Sequence, residues 1–176
     1  VALDILMSLH LVAEERGLTV AHPNTGRLIF RLEQGGLRRP DLLIAENPEY
    51  GGYIAAKYGL PPERFRYVPH GADETVFHPR PLRPPDDCFR VTYHGGYLPS
   101  HGMDVIVGAA DRLRHDPDVQ FHFYGSGPEK ERIIRQAEEL SLPNVTFHGF
   151  VGQDELLDSL AQAHVCLGVF GTTRQA

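Results

Sequence analysis

Apolar residues in this chain switch between two spacings, the every-other-residue rhythm of a strand and the three-to-four rhythm of a helix. Ala2 to Leu6 is a short apolar run, and Leu9, Val12 and Ala13 follow it at helical spacing. Leu28, Ile29 and Leu32 predict a further helix, while the almost unbroken apolar stretch Asp41 to Ala45 predicts a buried strand. Asn47-Pro48 predicts a helix start, because asparagine caps exposed backbone N–H groups and proline has none to cap. That helix should run to Lys57 or Tyr58, with Gly59 ending it. Arg66 to Val68 returns to strand.

A break follows. Pro79, Pro81, Pro84 and Pro85 with Asp86-Asp87 make a stiff polar stretch, read as a linker over 79–88. Beyond it, strands are predicted at Phe89–His94, Val119–Tyr124, Val145–Phe147 and Val165–Phe170. Three helices lie between them. The first carries Met103, Ile106, Val107, Ala110 and Leu113 on one face; the second starts at Pro128 and carries Ile133, Ala137 and Leu140; the third carries Leu156, Leu157 and Leu160. Repeated strand–helix–strand units make a parallel sheet covered on both faces, so the fold class is α/β. The domains expected are 1–78 and 89–176.

Composition narrows the function classes. Of 176 residues, 41% are hydrophobic and 23% charged, which excludes a disordered chain. A formal charge of −6 gives no general electrostatic reason to bind nucleic acid. No apolar run approaches the ~18 residues of a spanning helix, and no secretion signal opens the chain. Cys88 and Cys166 are too far apart for a disulfide framework or a metal knuckle, so a reducing cytoplasm is the expected compartment. The first residue is Val1 rather than Met.

Candidate chemistry lies where strands end. Each of the four strands after the linker runs into glycine: Gly95-Gly96, Gly125-Ser126-Gly127, Gly149 and Gly171. In an open parallel sheet these ends share one edge, where ligands bind at the topological switch point. Glycine lets backbone N–H groups approach a ligand, and the helix N-termini behind the loops suit a phosphate. Tight strand-to-helix turns are the alternative reading of any one of them. The G-x-G-x-x-G dinucleotide pattern and the P-loop lysine are both missing from these loops.

The same residues resemble a known family. Val68-Pro-His-Gly-Ala-Asp-Glu-Thr-Val-Phe-His-Pro79 is similar to the segment V-P-N-G-V-D-x-x-x-F-x-P that joins the two Rossmann-like domains of retaining glycosyltransferases of family 4, enzymes of the GT-B fold. Tyr93 to Gly102 resembles their G-R-L-x-x-x-K-G loop, Phe123 to Pro128 their donor G-x-G-P loop, and Val145 to Val151 with Glu155-Leu156 their V-x-F-x-G-x-V…E-L block. Asp41 to Tyr58 resembles the last strand and helix of the amino-terminal domain, and Asp4 to Leu9 a D-x-x-x-S-L segment of some members. The resemblance implies a GT-B protein of two Rossmann-like parallel-sheet domains, both incomplete in this chain. Residues 1–78 would belong to the acceptor side and 89–176 to the nucleotide-sugar side. It also implies transfer of a sugar from a nucleotide-sugar to a glycan, lipid-linked or small-molecule acceptor, with retention and without a metal or other cofactor. The donor contacts it implies are Gly95, Gly96, His101, Gly102, Gly125, Gly127, Pro128, Phe150 and Val151; catalytic residues are not identified. Some members associate with membranes, though no amphipathic basic helix is read here.

Two departures stand out. The family's arginine and lysine in the first donor loop align with Gly96 and His101, and a branch of the family carries histidine-glycine at this point. His101 is expected to contact the donor phosphates and to be charged when donor is bound. The family's E-x7-E pair would fall beyond Ala176 and its opening glycine-rich loop before Val1, so the chain is expected to be an inactive internal fragment. A non-catalytic nucleotide- or partner-binding relative and a UDP-sugar 2-epimerase are the alternatives.

The remaining candidates read more plainly. Ten histidines include no H-x-x-x-H pair. His22, His115 and His164 read as surface or strand-flanking residues, and His70, His94 and His148 as either loop ligands or backbone partners. Asp116-Pro-Asp118 reads as a solvated turn, Glu129 to Arg132 with Arg135 as an exposed helix face, and Ser8 as no nucleophile. Asp4 is either a cleft residue or a strand-end cap.

Overall fold

The computed structural model describes residues 1–81 and 88–171, which divide into two compact units at Asp73/Glu74. Pro84, Pro85, Asp86 and Asp87 of the expected linker lie outside the described residues. Residues 74–81 group with the second unit: Phe77, His78, Pro79 and Arg80 line a hollow with Leu157, Leu160 and Ala161, and Arg80 pairs with Asp158 at 3.1 Å.

The first unit runs β1 (Ala2–Asp4), α1 (Leu9–Glu15), α2 (Leu18–Ala21), α3 (Pro23–Arg38), β2 (Leu42–Ala45), α4 (Pro48–Tyr58) and β3 (Phe65–Tyr67). Its three strands pair in parallel in the order β1-β2-β3. Side-chain caps set both of its well-defined helix starts. Ser8 Oγ accepts from Leu11 N ahead of α1, and Asn47 Oδ1 accepts from Tyr50 N at 2.7 Å ahead of α4. Gly59 closes α4 in the left-handed conformation, φ +63°. Leu43, Ala45, Ile54, Tyr58 and Phe65 fill the core between sheet and helices.

Helical spacing located α1 and α3 but not which way they face. Leu9, Leu28 and Leu32 are exposed, whereas Leu37 and Ala13 are buried. The fixed point between these helices is Glu33. Its carboxylate accepts from the backbone N–H groups of Leu9 and His10, from Ser8 Oγ and from the Tyr58 hydroxyl. An acid thus neutralises the N-terminal end of α1 from a neighbouring helix.

The second unit runs β4 (Phe89–His94), α5 (Met103–Arg112), β5 (Val119–Tyr124), α6 (Lys130–Glu139), β6 (Val145–Gly149), α7 (Gln153–Gln162) and β7 (Val165–Leu167). All four strands are parallel, in the order β6-β5-β4-β7. Alternation divides the sheet into two faces. Val91, Tyr93, Phe121 and Phe123 point to one, where Ile106, Val107 and Ala110 of α5 and Ile133 of α6 complete the core. Arg90, Thr92, His122, Tyr124 and His148 alternate with these on their strands; His148 stacks on Tyr124, 4.2 Å between centroids, and meets His122 at 3.0 Å. Three elements differ from expectation. Strand β6 runs to Gly149 instead of Phe147, because it stays paired to Tyr124 of β5. Strand β7 stops at Leu167 instead of Phe170, because Leu167 faces Tyr93 and β4 ends one residue later at His94. Helix α6 begins at Lys130 rather than Pro128, since Pro128 and Glu129 form the turn into it.

Candidate functional site

The strand order decides where this site lies. Counting from β4, successive strands are added on one side as far as β6, and the chain then crosses to β7 on the other side. The carboxyl ends of β4 and β7 therefore lie either side of a topological switch point, the position at which doubly wound sheets take their ligands. The loop after β4, from Gly95 to Gly102, and the loop after β7, from Gly168 to Gly171, meet there, with Phe170 N donating to His101 O.

Backbone contacts interlock these loops with those after β5 and β6. Gly95 N donates to Tyr124 O, Tyr97 N to Ser126 O, Glu129 N to Tyr97 O, Gly125 N to Gly149 O, and Phe170 N to His101 O. The glycines permit this closeness. A Cβ on Gly102 would lie 2.5 Å from the Gly171 nitrogen, one on Gly127 would lie 2.5 Å from Tyr97 N, and one on Gly125 would overlap the Gly95 carbonyl. Gly102 and Gly125 also have φ of +64° and +119°. Loop-on-loop packing is thus a reason for glycine here that sequence alone did not supply.

The expected contacts divide accordingly. Gly95, Gly96, His101, Gly102, Gly125 and Gly127 are gathered into this interlocked cluster. Pro128 is exposed in the turn before α6; Phe150, 89% exposed, and half-buried Val151 lie on the outer loop after β6. Behind the loops, α5, α6 and α7 all start without a side-chain cap, in contrast to α1 and α4. At α6 the backbone supplies acceptors instead, Glu129 N donating to Tyr97 O and Lys130 N to Gly127 O, while no side chain meets the first N–H groups of α5 and α7.

His101 closes the short 3₁₀ turn Pro99–His101. Its Nδ1 lies 2.6 Å from the hydroxyl of Tyr93, which itself donates to Gly96 O at 2.9 Å. Burial pushes the His101 imidazole below its ordinary pKa, opposed by its hydrogen bond with the Gly96 carbonyl. Burial thus favours the neutral ring, and an anion beside it would favour the charged one. Burial raises Tyr93 to about 12.

Three residues of the edge were missed in the sequence. Lys130 opens α6 and directs Nζ at the Gly125 carbonyl, 3.3 Å away, and beside Gly149. Arg132 binds Asp104 through two nitrogens, at 2.6 and 3.0 Å, and Glu129 at 2.6 Å, so the first turn of α5 is tied to the start of α6. Lys130 and Arg132 sit in a charged helix pattern that reads as solvated, and nothing in that pattern separates them from Glu131 or Arg135. Tyr93 falls in the predicted strand Phe89–His94 and its ring is buried in the core; its hydroxyl is what reaches the loop.

Other candidates resolve elsewhere. Asp118 N donates to Asp116 Oδ1 in a turn before β5, at the opposite end of the sheet. His164 accepts from Arg90 N and stacks on Phe89. His70 pairs with Glu46 at 3.1 Å within the first unit, and His94 is exposed at the end of β4. Ser8 is a helix cap. Asp4 stands with Glu33 on an apolar hollow of about 630 Å³ formed with Leu6, Met7, Leu9 and Leu32. Among the described residues, no helix is long and apolar enough to cross a membrane.

Residues 88–170 match the family model described as Glycosyl transferases group 1. Among curated proteins, the chain is 28% identical over 133 residues to WcaL of Escherichia coli K12, a glycosyltransferase named for colanic acid biosynthesis, covering 74% of this chain and 32% of WcaL. It is 27% identical over 154 residues to the D-inositol 3-phosphate glycosyltransferase of Segniliparus rotundus, covering 78% of this chain and 34% of that enzyme. The chain thus spans about a third of the length of these relatives. Among solved structures, Anabaena HepE in complex with UDP-glucose superposes with a TM-score of 0.67 at 16% identity, over 94% of this chain and 52% of HepE. A mutant of TarM from S. aureus, in complex with fondaparinux, alpha-GlcNAc-glycerol and UDP, gives 0.63 at 17% identity, over 82% of this chain and 29% of TarM. The two parallel-sheet α/β units thus have a fold of the GT-B type, and residues 88–170 match the family model of group 1 glycosyl transferases.

Proposed function

We propose that this chain is part of a retaining glycosyltransferase whose second unit holds the diphosphate of a nucleotide-sugar at the switch-point edge formed by the β4 and β7 loops. One observation carries the reading: within the family-matched residues, four interlocked loops and three helix starts without a side-chain cap converge on one switch-point edge. Breaking a glycosyl–phosphate bond puts positive charge on the sugar and negative charge on the departing diphosphate. Preorganised N–H groups and cations aimed at that diphosphate lower the barrier. Helix starts, His101 and Lys130 are the groups of that kind here, and Phe150 offers an exposed ring to a nucleobase. A metal is not required by this arrangement. HepE and TarM were solved with UDP-glucose and UDP respectively, which makes a UDP-sugar the first donor to try. The acceptor is a glycan, lipid-linked or small-molecule hydroxyl.

Thermal shift with UDP-, GDP- and ADP-glucose tests this reading. Stabilisation by one nucleotide-sugar over the others supports it, with about 2.7 kcal/mol expected at a hundredfold excess over Kd. No stabilisation by any of the three sinks it. The anomeric configuration of the product tests retention.

A further inference from the structure

Tyr93 is 1% exposed, within the core beneath the loop after β4, yet its hydroxyl has two polar neighbours. It lies 2.9 Å from the Gly96 carbonyl and 2.6 Å from Nδ1 of His101. A phenol has one proton, and a carbonyl can only accept. Were that proton turned towards His101, the Tyr93 and Gly96 oxygens would face each other at 2.9 Å with no hydrogen between them. We propose that Tyr93 is a positioning residue that fixes the tautomer of His101: Nδ1 carries the hydrogen and donates it to the Tyr93 oxygen, leaving Nε2 as the atom presented to the donor diphosphate. The last clause rests on the proposed function; the tautomer does not.

The surroundings hold the ring in this orientation. The His101 carbonyl accepts from Phe170 N, which fixes the backbone from the β7 side. Ring atom Cε1 would be 3.5 Å from a Cβ on Gly95, so the imidazole lies close over the loop after β4. Tyr93 faces the ring from β4, and the remaining recorded neighbours, Gly95, Gly96 and Phe170, are backbone groups. Tyr93 stays a neutral phenol through the range in which an imidazole titrates.

This fixes how the site meets an anion. Neutral His101 would turn a lone pair at Nε2 towards a phosphate oxygen and repel it. One proton taken onto Nε2 converts that atom into a charged donor. The Tyr93 oxygen accepts Nδ1–H in both states, so protonation needs no rotation of the ring. The proton comes from solvent.

Long-range 1H–15N correlation spectra of the histidine-labelled chain, recorded above the His101 titration, read the tautomer directly. The Nδ1–H form is expected for the unsubstituted chain. Tyr93→Phe keeps the ring in the core and removes the hydroxyl; its Nδ1–H to Nε2–H ratio should fall roughly tenfold, as loss of one hydrogen bond implies. A predominant Nε2–H form in the unsubstituted chain overturns the proposal. An unchanged ratio in folded Tyr93→Phe overturns the role of Tyr93. If that variant does not fold, the unsubstituted spectrum still decides the tautomer. Saturating UDP-glucose should shift the Nε2 resonance towards the protonated position. Binding without such a shift overturns the assignment of Nε2 to the diphosphate and leaves the tautomer intact. Absence of binding by any nucleotide-sugar counts against the proposed function instead.

Discussion

Gly125 sits so close to the carbonyl of Gly95 that the loops after β4 and β5 pack backbone on backbone, with no space for a side chain. The same glycine that a ligand-binding motif invites one to read as a phosphate contact is first a packing requirement. Removing it should unfold the edge before any ligand is considered.

Gly125→Ala is therefore expected to destabilise the second unit by about 2–4 kcal/mol, combining overpacking with a positive φ. Gly108 provides the control, because a Cβ there meets nothing within 4 Å and the residue lies inside α5. Gly108→Ala should stabilise by about 0.5–1 kcal/mol. Urea unfolding of both variants checks the pair; equal effects would refute the packing account.

Donor affinity should depend on pH through His101. Burial lowers the free imidazole, and a bound diphosphate would raise it. Affinity is then highest below the free pKa and falls up to about tenfold per pH unit as pH rises from the free value to the bound one. His101→Gln places an amide donor near the Nε2 position without a titrating proton, and its UDP-glucose affinity should be lower and flat. Calorimetric titration of both proteins between pH 5.5 and 8.5 (roughly the imidazole range) measures it; a flat profile for the unsubstituted chain excludes the assignment.

Arg132 draws the Asp104 carboxyl below its usual value, chiefly through its hydrogen bond and despite some burial. Because the folded pKa is depressed, the contribution is present above the unfolded value of about 3.9 and is lost as pH falls through the folded one. Both side chains are about half exposed, so solvent screening limits the pair to about 0.2–1 kcal/mol. Asp104→Asn should cost that much at pH 7 and nothing near pH 2, by denaturant unfolding at each pH.

In the first unit, Glu33→Ala strands the N–H groups of Leu9 and His10 and removes an acceptor from the hydroxyls of Ser8 and Tyr58, which keep each other at 3.1 Å. A loss of about 2–4 kcal/mol is expected. Hydrogen exchange should show it concentrated in α1 and α3, and protection unchanged there would contradict the capping role.

Much of this architecture is legible in the sequence, for reasons particular residues explain. Asn47, Pro48 and Gly59 fix α4 at both ends because capping chemistry is local, and β4 and β5 match their expected bounds because they alternate cleanly. Leu28 and Leu32 mislead, since periodicity places them on one face of α3 without saying that the face is open. Strand β7 falls short because local hydrophobicity cannot show where its partner β4 ends. At the sheet edge, glycines mark the loops that interlock, while Lys130, Arg132 and the Tyr93 hydroxyl meet partners that helical or strand spacing does not show. Helical charge spacing treats Lys130 and Arg135 alike.

The crossing from β6 to β7 has a further consequence, for the order in which the molecule comes together. Arg90 on β4 meets His164, just before β7, across 74 positions of chain, whereas β4 and β5 are joined through a single helix. Closing so long a loop costs entropy that short crossovers avoid, and pairings of this kind form late. During synthesis, β4, β5 and β6 can assemble while the residues of β7 are still to come. The switch-point edge between the β4 and β7 loops exists only once that three-residue strand has docked, so it forms after the β4–β5–β6 part of the sheet.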